Sequence, residues 1–423
     1  MAEPSREALI ALAKECGADD AGVVALDRAE LDGDRAHVLS AFPRARTLLS
    51  LVVRMNVENV RTPWRSIANK EFHTAIGQTD HVAARIVRAL SDRGIGAINP
   101  SAGFPMEMNQ FPDGRMWVVS HKLAAVAAGL GQIGIHRNLI HPQFGNFVLL
   151  GTVILDADVG EPSSPIDYNP CFECKLCVAA CPVGAIKPDG AFDFSACYTH
   201  NYREFMGGFA EWTERIAESS SAKDLRGKVS DSEQASMWQS LGFGPNYKAA
   251  YCMAVCPAGD SLIERYQLDR KQYLKDVVDP LRGKIEPVYV VPGSDAEAHL
   301  AKRFPHKLRR PVGSGLRPRS VEGFLHGLRL VFQRDQAKGL DCTYHFTFTG
   351  KDSGEATITI RDSKLSVEHG HHGQPQLKVR VDSQAWFAFI YKERGLLSML
   401  ASRKLRLRGD PRYLVAFGRC FPT

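Results

Sequence analysis

The sequence has no apolar run long enough to cross a membrane. The longest, Phe147 to Leu155, is interrupted by Gly151 and Thr152 and falls far short of the roughly 20 residues a helical span requires. The amino-terminal stretch MAEPSREALIALAKECG has no basic segment followed by an apolar one and no twin-arginine pair. It reads as carrying no export signal, and a cytoplasmic location is expected. Internal repeats and low-complexity tracts are also missing. Strong net charge is lacking too: +6 over 423 residues gives no reason to expect nucleic acid as a partner. The one local excess runs from Ala301 to Arg319, with seven Lys or Arg and no acid. It reads as a solvated basic connector or as a docking strip for an acidic redox partner or a phosphate.

What is present is an ordinary globular composition, 44% apolar and 24% charged, enough for two or three packed domains. There are ten cysteines, and seven of them fall between residues 171 and 256. Such clustering in a large chain without an export signal points to metal rather than to disulfides. Cys16, Cys342 and Cys420 stand alone and read as buried small apolar residues.

Residues 5–16 read as a helix capped by Ser5 and ended by Gly17. Ala21 to Leu26, Thr47 to Val53 and Phe147 to Leu155 read as buried strands, and Thr79 to Arg93 and Lys122 to Ala128 as helices. This alternation over residues 1–160 implies an α/β layer domain. Turn-rich residues 161–170 open a cysteine domain extending to 280, and the Pro-, Gly- and Lys/Arg-rich stretch 281–319 reads as a linker. From 320 to 423 the pattern changes. A helical stripe (Phe324, Leu325, Leu328, Val331, Phe332) precedes alternating strands through Tyr344–Phe348, Ala356–Ile360 and Leu377–Val381, then a helix from Trp386 to Leu400 and a strand at Leu405–Leu407. That is an α+β domain. The HGHHG run at 369–373 reads as an exposed hairpin loop.

Residues 171–182, CFECKLCVAACP, have the spacing C-x2-C-x2-C-x3-C-P. Two-residue steps place successive thiols on one concave side of a loop, which suits an iron–sulfur cube, and the fourth cysteine points to the other cluster of a pair. Zinc sites use paired C-x2-C elements instead. Cys252-x3-Cys256-Pro257 is the tail of a second such run. Cys171, Cys174, Cys177 and Cys256 therefore make one complete 4Fe-4S set. Cys181, Cys197 and Cys252 make a second, incomplete one, because the residue three before Cys252 is Ala249. A three-iron cluster, a four-iron cluster with a substitute ligand (His200, Asn246 or Tyr247), and no second cluster all remain open.

Residues 128–155, AGLGQIGIHRNLIHPQFGNFVLLGTVIL, just upstream of the cysteine run, resemble the cobalamin-binding core of epoxyqueuosine reductases and of respiratory and catabolic reductive dehalogenases. The similarity covers roughly residues 5–280. It implies a flavin-reductase-like α/β fold, a bacterial-ferredoxin-like cluster domain and a corrinoid. Gly129, Gly131 and Gly134, with His136, Arg137 and Asn138, would lie against the cofactor. Glycine lets backbone approach a flat macrocycle closely. Three features depart from the epoxyqueuosine reductase pattern. The acid expected before the AGLG turn has no counterpart in register, Asp113 being the nearest. Ser120-His121-Lys122 stands in its place, and the family's carboxy-terminal helical repeat is missing. Asp113, His121 and Lys122 are the candidate proton donors. The segments AKGLDCTYHFTFTG, PQLKVRVDSQAWFAFI and RKLRLRGD resemble the sterol-carrier-protein-type fold, in which an apolar tunnel can hold a lipid.

The expectation is an iron–sulfur, corrinoid-dependent reductase. It would take electrons from an external ferredoxin, flavodoxin or reductase and act on a small organic or apolar substrate. The rivals are an electron-transfer protein with no substrate of its own and a lipid-binding module whose clusters sense redox state.

Overall fold

The structure is a computed structural model that describes residues 4–108, 116–171 and 173–422. Its first domain is built on a four-stranded sheet in the order β1 (Asp20–Ala25), β2 (Thr47–Arg54), β6 (Val148–Leu155), β3 (Ala97–Ile98), antiparallel throughout. Alternate residues of the strands enter two separate cores, so both faces are apolar. Val23, Leu49, Leu51 and Val153 pack under α1 (Arg6–Glu15) and the long α2 (Arg65–Ser91), while Val24, Leu48, Val52 and Ile154 pack under α3 (His121–Ala127). Ser5 caps α1 and Ser120 caps α3, each accepting a backbone N–H. The helix expected at 79–93 is only the second half of α2. Its first half carries side chains that reach the cysteine domain instead of the sheet.

Between α3 and β6 a small ribbon, β4 (Gln132–Ile133) with β5 (Leu139–Ile140), closes the AGLG turn. The cysteine domain follows. Helix α4 (Leu176–Ala180) carries Cys177, α5 (Phe194–Asn201) carries Cys197 and α6 (Tyr251–Ala254) carries Cys252.

The stretch expected as a linker, 281–319, is folded. Strands β7 (Pro287–Val290) and β8 (Leu308–Pro311) pair in parallel across α7 (Asp295–Arg303). The proline content misled because Pro287 and Pro311 sit at strand ends, where a missing N–H costs little. Three of the basic strip's seven cations are paired: Lys307 is buried on Glu286 at 2.8 Å, Arg309 meets Glu297 at 2.6 Å, and Arg317 binds Glu214.

The last domain is a five-stranded sheet in the order β11 (Lys364–His369), β10 (Gly354–Arg361), β9 (Cys342–Thr349), β12 (Leu377–Asp382), β13 (Leu405–Gly409), with β9 and β12 parallel. Strand β11 and the final helix (Arg412–Cys420) were not read from the sequence, and the helix expected over Trp386–Leu400 is two, Ser383–Ile390 and Leu396–Ala401. Phe324, Phe346, Phe348, Trp386 and Phe417 pack ring against ring at 5.4–6.2 Å. The aromatic stripe is therefore core. Cys16, Cys342 and Cys420 are buried, and none of the ten cysteines is in a disulfide. This domain leans on the cysteine domain through Arg334–Asp189 at 3.0 Å and on α7 through Gln333, whose side-chain oxygen accepts from Asp295 N at 2.8 Å.

Candidate functional site

The loop from Cys171 to Cys181 turns through two left-handed residues, Glu173 and Lys175. They curl the chain so that alternate steps point inward. The seven thiols lie close together in two adjoining sets. Cys177 has Cys252, Cys256, Cys174 and Cys171 as electrostatic neighbours, and Cys256 has Cys174, Cys171 and Cys252, whereas Cys197 has Cys252 and Cys181. Cys252 borders both sets.

Burial pushes the Cys252 and Cys256 thiols up to about 12, and each neighbouring thiol pushes them further the same way. Burial and then neighbouring cysteines also raise Cys177 and Cys197. Thiols crowded like this do not ionise together unless a positive centre sits among them, and a coordinating metal deprotonates a thiol outright. Backbone N–H groups already point at the sulfurs: Ala185 N donates to Cys181 Sγ at 3.3 Å and Ile135 N to Cys171 Sγ at 3.5 Å. Among the described residues no three His, Cys, Asp or Glu side chains converge on a single ion. The donor set fits iron–sulfur clusters.

Lys122 lies beside the second set, with Cys252 and Cys197 as its nearest opposite charges. Burial holds its ammonium below the usual lysine range and the thiols oppose that. Its Nζ donates to Arg137 O at 2.6 Å and Asn138 Oδ1 at 3.2 Å, so three of the expected site residues do meet. Lys122 is exposed, and Tyr202, Tyr247, Cys197 and Cys252 each keep part of their surface open to solvent.

Other expectations change. His121 is clamped, Nδ1 on Thr152 Oγ1 at 2.8 Å and Nε2 on Ser101 O at 2.9 Å, and burial lowers its basicity. With both nitrogens committed it ties α3 to the sheet and has no proton to deliver. Asp113 lies outside the described residues. His136 is buried and held neutral, its basicity lowered to about 4 by burial and then by Lys122; its Nδ1 accepts from Asn138 N and its Nε2 has no partner. His141 pins the turn to Asp20 at 3.1 Å.

The glycines are filled by protein. A Cβ on Gly129 (φ +76) would lie 2.4 Å from Ser164 O, one on Gly131 (φ +152) 2.3 Å from Ile140 O, and one on Gly134 2.7 Å from Ile140 Cδ1. They let the turn close on its own chain, so the cradle expected for a macrocycle is not at these atoms. Gly131→Ala is expected to destabilise the cofactor-free protein by about 1–3 kcal/mol in chemical denaturation. An unchanged midpoint would return the glycine to a cofactor role.

Of the substitute ligands, His200 turns away. Its Nδ1 accepts from Tyr289 N at 3.3 Å, and its charged neighbours are Glu286, Lys248 and Lys307. Asn246 donates to Glu204 at 3.1 Å. Tyr202, which no motif marks, has Cys197 and Cys252 as electrostatic neighbours.

Comparison with known proteins agrees with this layout. Residues 164–187 match the 4Fe-4S binding domain and residues 329–421 the SCP-2 sterol transfer family. An epoxyqueuosine reductase of Gloeobacter violaceus is 30% identical over 156 residues, 36% of this chain and 43% of that protein. The aligned stretches span only about a quarter to two-fifths of the curated relatives' length. A catabolic reductive dehalogenase aligns over 72% of this chain and 38% of its own at 16% identity, TM-score 0.40. An epoxyqueuosine reductase solved with a modified tRNA-Tyr stem loop aligns over 71% and 83% at 15% identity, TM-score 0.32. The expectation that nucleic acid plays no part gains no support from such relatives. No helix among the described residues is long and apolar enough to cross a membrane. The chain thus joins a segment resembling epoxyqueuosine reductases, with a 4Fe-4S binding domain inside it, to a carboxy-terminal domain of the SCP-2 sterol transfer family.

Proposed function

We propose that this protein is an iron–sulfur reductase. Its first cluster is held by Cys171, Cys174, Cys177 and Cys256 and its second by Cys181, Cys197 and Cys252, and electrons run from an external donor through the first to the second. The observation that carries this is the gathering of seven thiols, three of them buried and four partly exposed, into two adjoining sets. Cys252 stands where they meet, so the path between clusters is short.

The solvent-open face beside the second set is where a substrate would be reduced. Lys122, fixed by Arg137 O and Asn138, presents its ammonium there and would neutralise negative charge developing on the acceptor. Lys122 can also return a proton, the role that His121 cannot fill. A corrinoid, which the family resemblance brings with it, would lie on the Lys122 side of the second set and not at the glycine turn. It would supply a low-potential metal centre for reducing an organic substrate. Arg137 and Asn138 are the residues at hand to hold its polar side chains.

Purification without oxygen, followed by metal analysis, is expected to give about eight irons per chain and, after incubation with cobalamin, one cobalt. Iron without cobalt would leave a plain iron–sulfur electron carrier. Colourless, iron-free protein would end the reading.

A further inference from the structure

The two cysteine helices are copies of one unit. Cys177 and Cys181-Pro182 on and after α4 recur as Cys252 and Cys256-Pro257 on and after α6. Each helix is entered through a left-handed residue, Lys175 (φ 52, ψ 23) and Ala250 (φ 53, ψ 23). The correspondence places Ala249 where the first unit has Cys174, and Asn246 where it has Cys171. Cys197 of α5 replaces one of these two lost thiols. Nothing replaces the other.

The backbone at the gap is pinned. Asn201 Oδ1 accepts from Ala249 N at 2.9 Å and Ala250 N at 3.1 Å, and Arg65 Nη1 donates to Ala249 O at 2.8 Å. The chain there cannot swing another side chain in. Asn246 is spent on Glu204, and His200 faces Tyr289. Two polar side chains, Lys122 and Tyr202, the latter directly after the α5 helix that carries Cys197, have Cys197 and Cys252 as neighbours, and both keep surface open to solvent. Among the described residues the Tyr202 hydroxyl has no hydrogen-bond partner.

We propose, building on the two-cluster reading, that the second cluster hangs on three thiolates and that its fourth iron, in front of Ala249, is removable and open to a small anionic ligand received by Tyr202 and Lys122. A cubane held by four thiolates keeps its irons. One corner without sulfur holds iron only through a weak, exchangeable ligand. With ferricyanide as oxidant the balance is simple: the 4Fe-4S core in its 2+ state gives one electron to ferricyanide and releases Fe2+, leaving a 3Fe-4S core of charge 1+.

The test uses the full chain reconstituted without oxygen. Ferricyanide is expected to release one iron per chain and to raise the near-isotropic electron paramagnetic resonance of a three-iron cluster. Ferrous 57Fe with dithionite is expected to reverse both, placing the label in a single Mössbauer site. Labelled cyanide should bind that site, at least tenfold more weakly in Lys122→Met. Ala249→Cys should keep all its iron under ferricyanide. If the wild type holds about eight irons and loses none, the proposal falls while the two-cluster reading stands. If it holds only about four, both fall. If Ala249→Cys is poorly folded, the wild-type iron release and its 57Fe site still decide.

Discussion

Cys256→Ala, purified without oxygen, is expected to keep both clusters, each then held by three thiolates, and to give up two irons to ferricyanide where the wild type gives up one. Cys252→Ala, which leaves the second set only two thiols, is expected to hold about half the iron of the wild type. The reason is a crossing. Cys256 follows Cys252 by one helical turn, yet its foremost thiol neighbours are Cys174 and Cys171, on the far run, ahead of Cys252. Cys181 closes the first run in sequence but lies with Cys197 and Cys252. Each short helix therefore starts on one cluster and ends on the other, which is what three intervening residues, close to one turn, allow. Ferricyanide tells the two variants apart: Cys256→Ala gives up two irons, and the one cluster surviving in Cys252→Ala gives up none. Were the thiols grouped run by run, Cys256→Ala would retain a four-thiolate cluster that resists the oxidant, and the crossing would be wrong.

The cysteine sets were legible because thiolate spacing on a loop is set by covalent reach, which sequence states directly. The strands at 47–54 and 148–155 were legible because both of their faces are apolar, and the helix at 6–15 because its cap, its stripe and its terminal glycine agree. Legibility ended where a residue's meaning depends on a partner far along the chain. Tyr202 has no motif, and only folding brings α5 and α6 together to set it beside Cys252. His121 looked like an acid in a three-residue signature until Thr152 and Ser101, 31 and 20 residues away, took both its nitrogens. The glycines of the AGLG turn announced a close approach, correctly, but not what approaches: Ser164 O and Ile140 O fill the space. The supposed linker failed for the same reason. Its composition is that of a connector, while its fold rests on one charge pair that composition cannot display.

That pair carries the other large effect. Glu286→Gln is expected to lower the stability of the cysteine domain by about 3–5 kcal/mol, because it leaves a buried ammonium without its charge partner. The Lys307 side chain is fully buried. Its Nζ donates to Glu286 Oε1 at 2.8 Å, to Lys284 O at 2.8 Å and to Leu281 O at 3.2 Å. Glu286 also accepts from the Tyr251 hydroxyl at 2.7 Å, and Tyr251 is the residue before Cys252. The segment 281–319 is thus a brace behind α6, and loosening it should loosen the second cluster first, seen as faster iron release from that site. Burial raises the Glu286 carboxyl, but Lys307, Tyr251 and Lys284 outweigh it and hold the group below its usual range. A carboxylate with a depressed folded value contributes stability above the ordinary carboxylate pKa of about 4.3, and loses it as pH falls through the lower folded value. The gap in denaturation midpoint between wild type and Glu286→Gln should therefore be full at neutral pH and close in acid. A gap that persisted at the lowest pH where both remain folded would mean that shape, not charge, makes Glu286 matter, and Glu286→Leu would then be worse than Glu286→Gln. If charge is what matters, Lys307→Met placed on top of Glu286→Gln should recover most of the loss, since it removes the orphaned ammonium that the first change created.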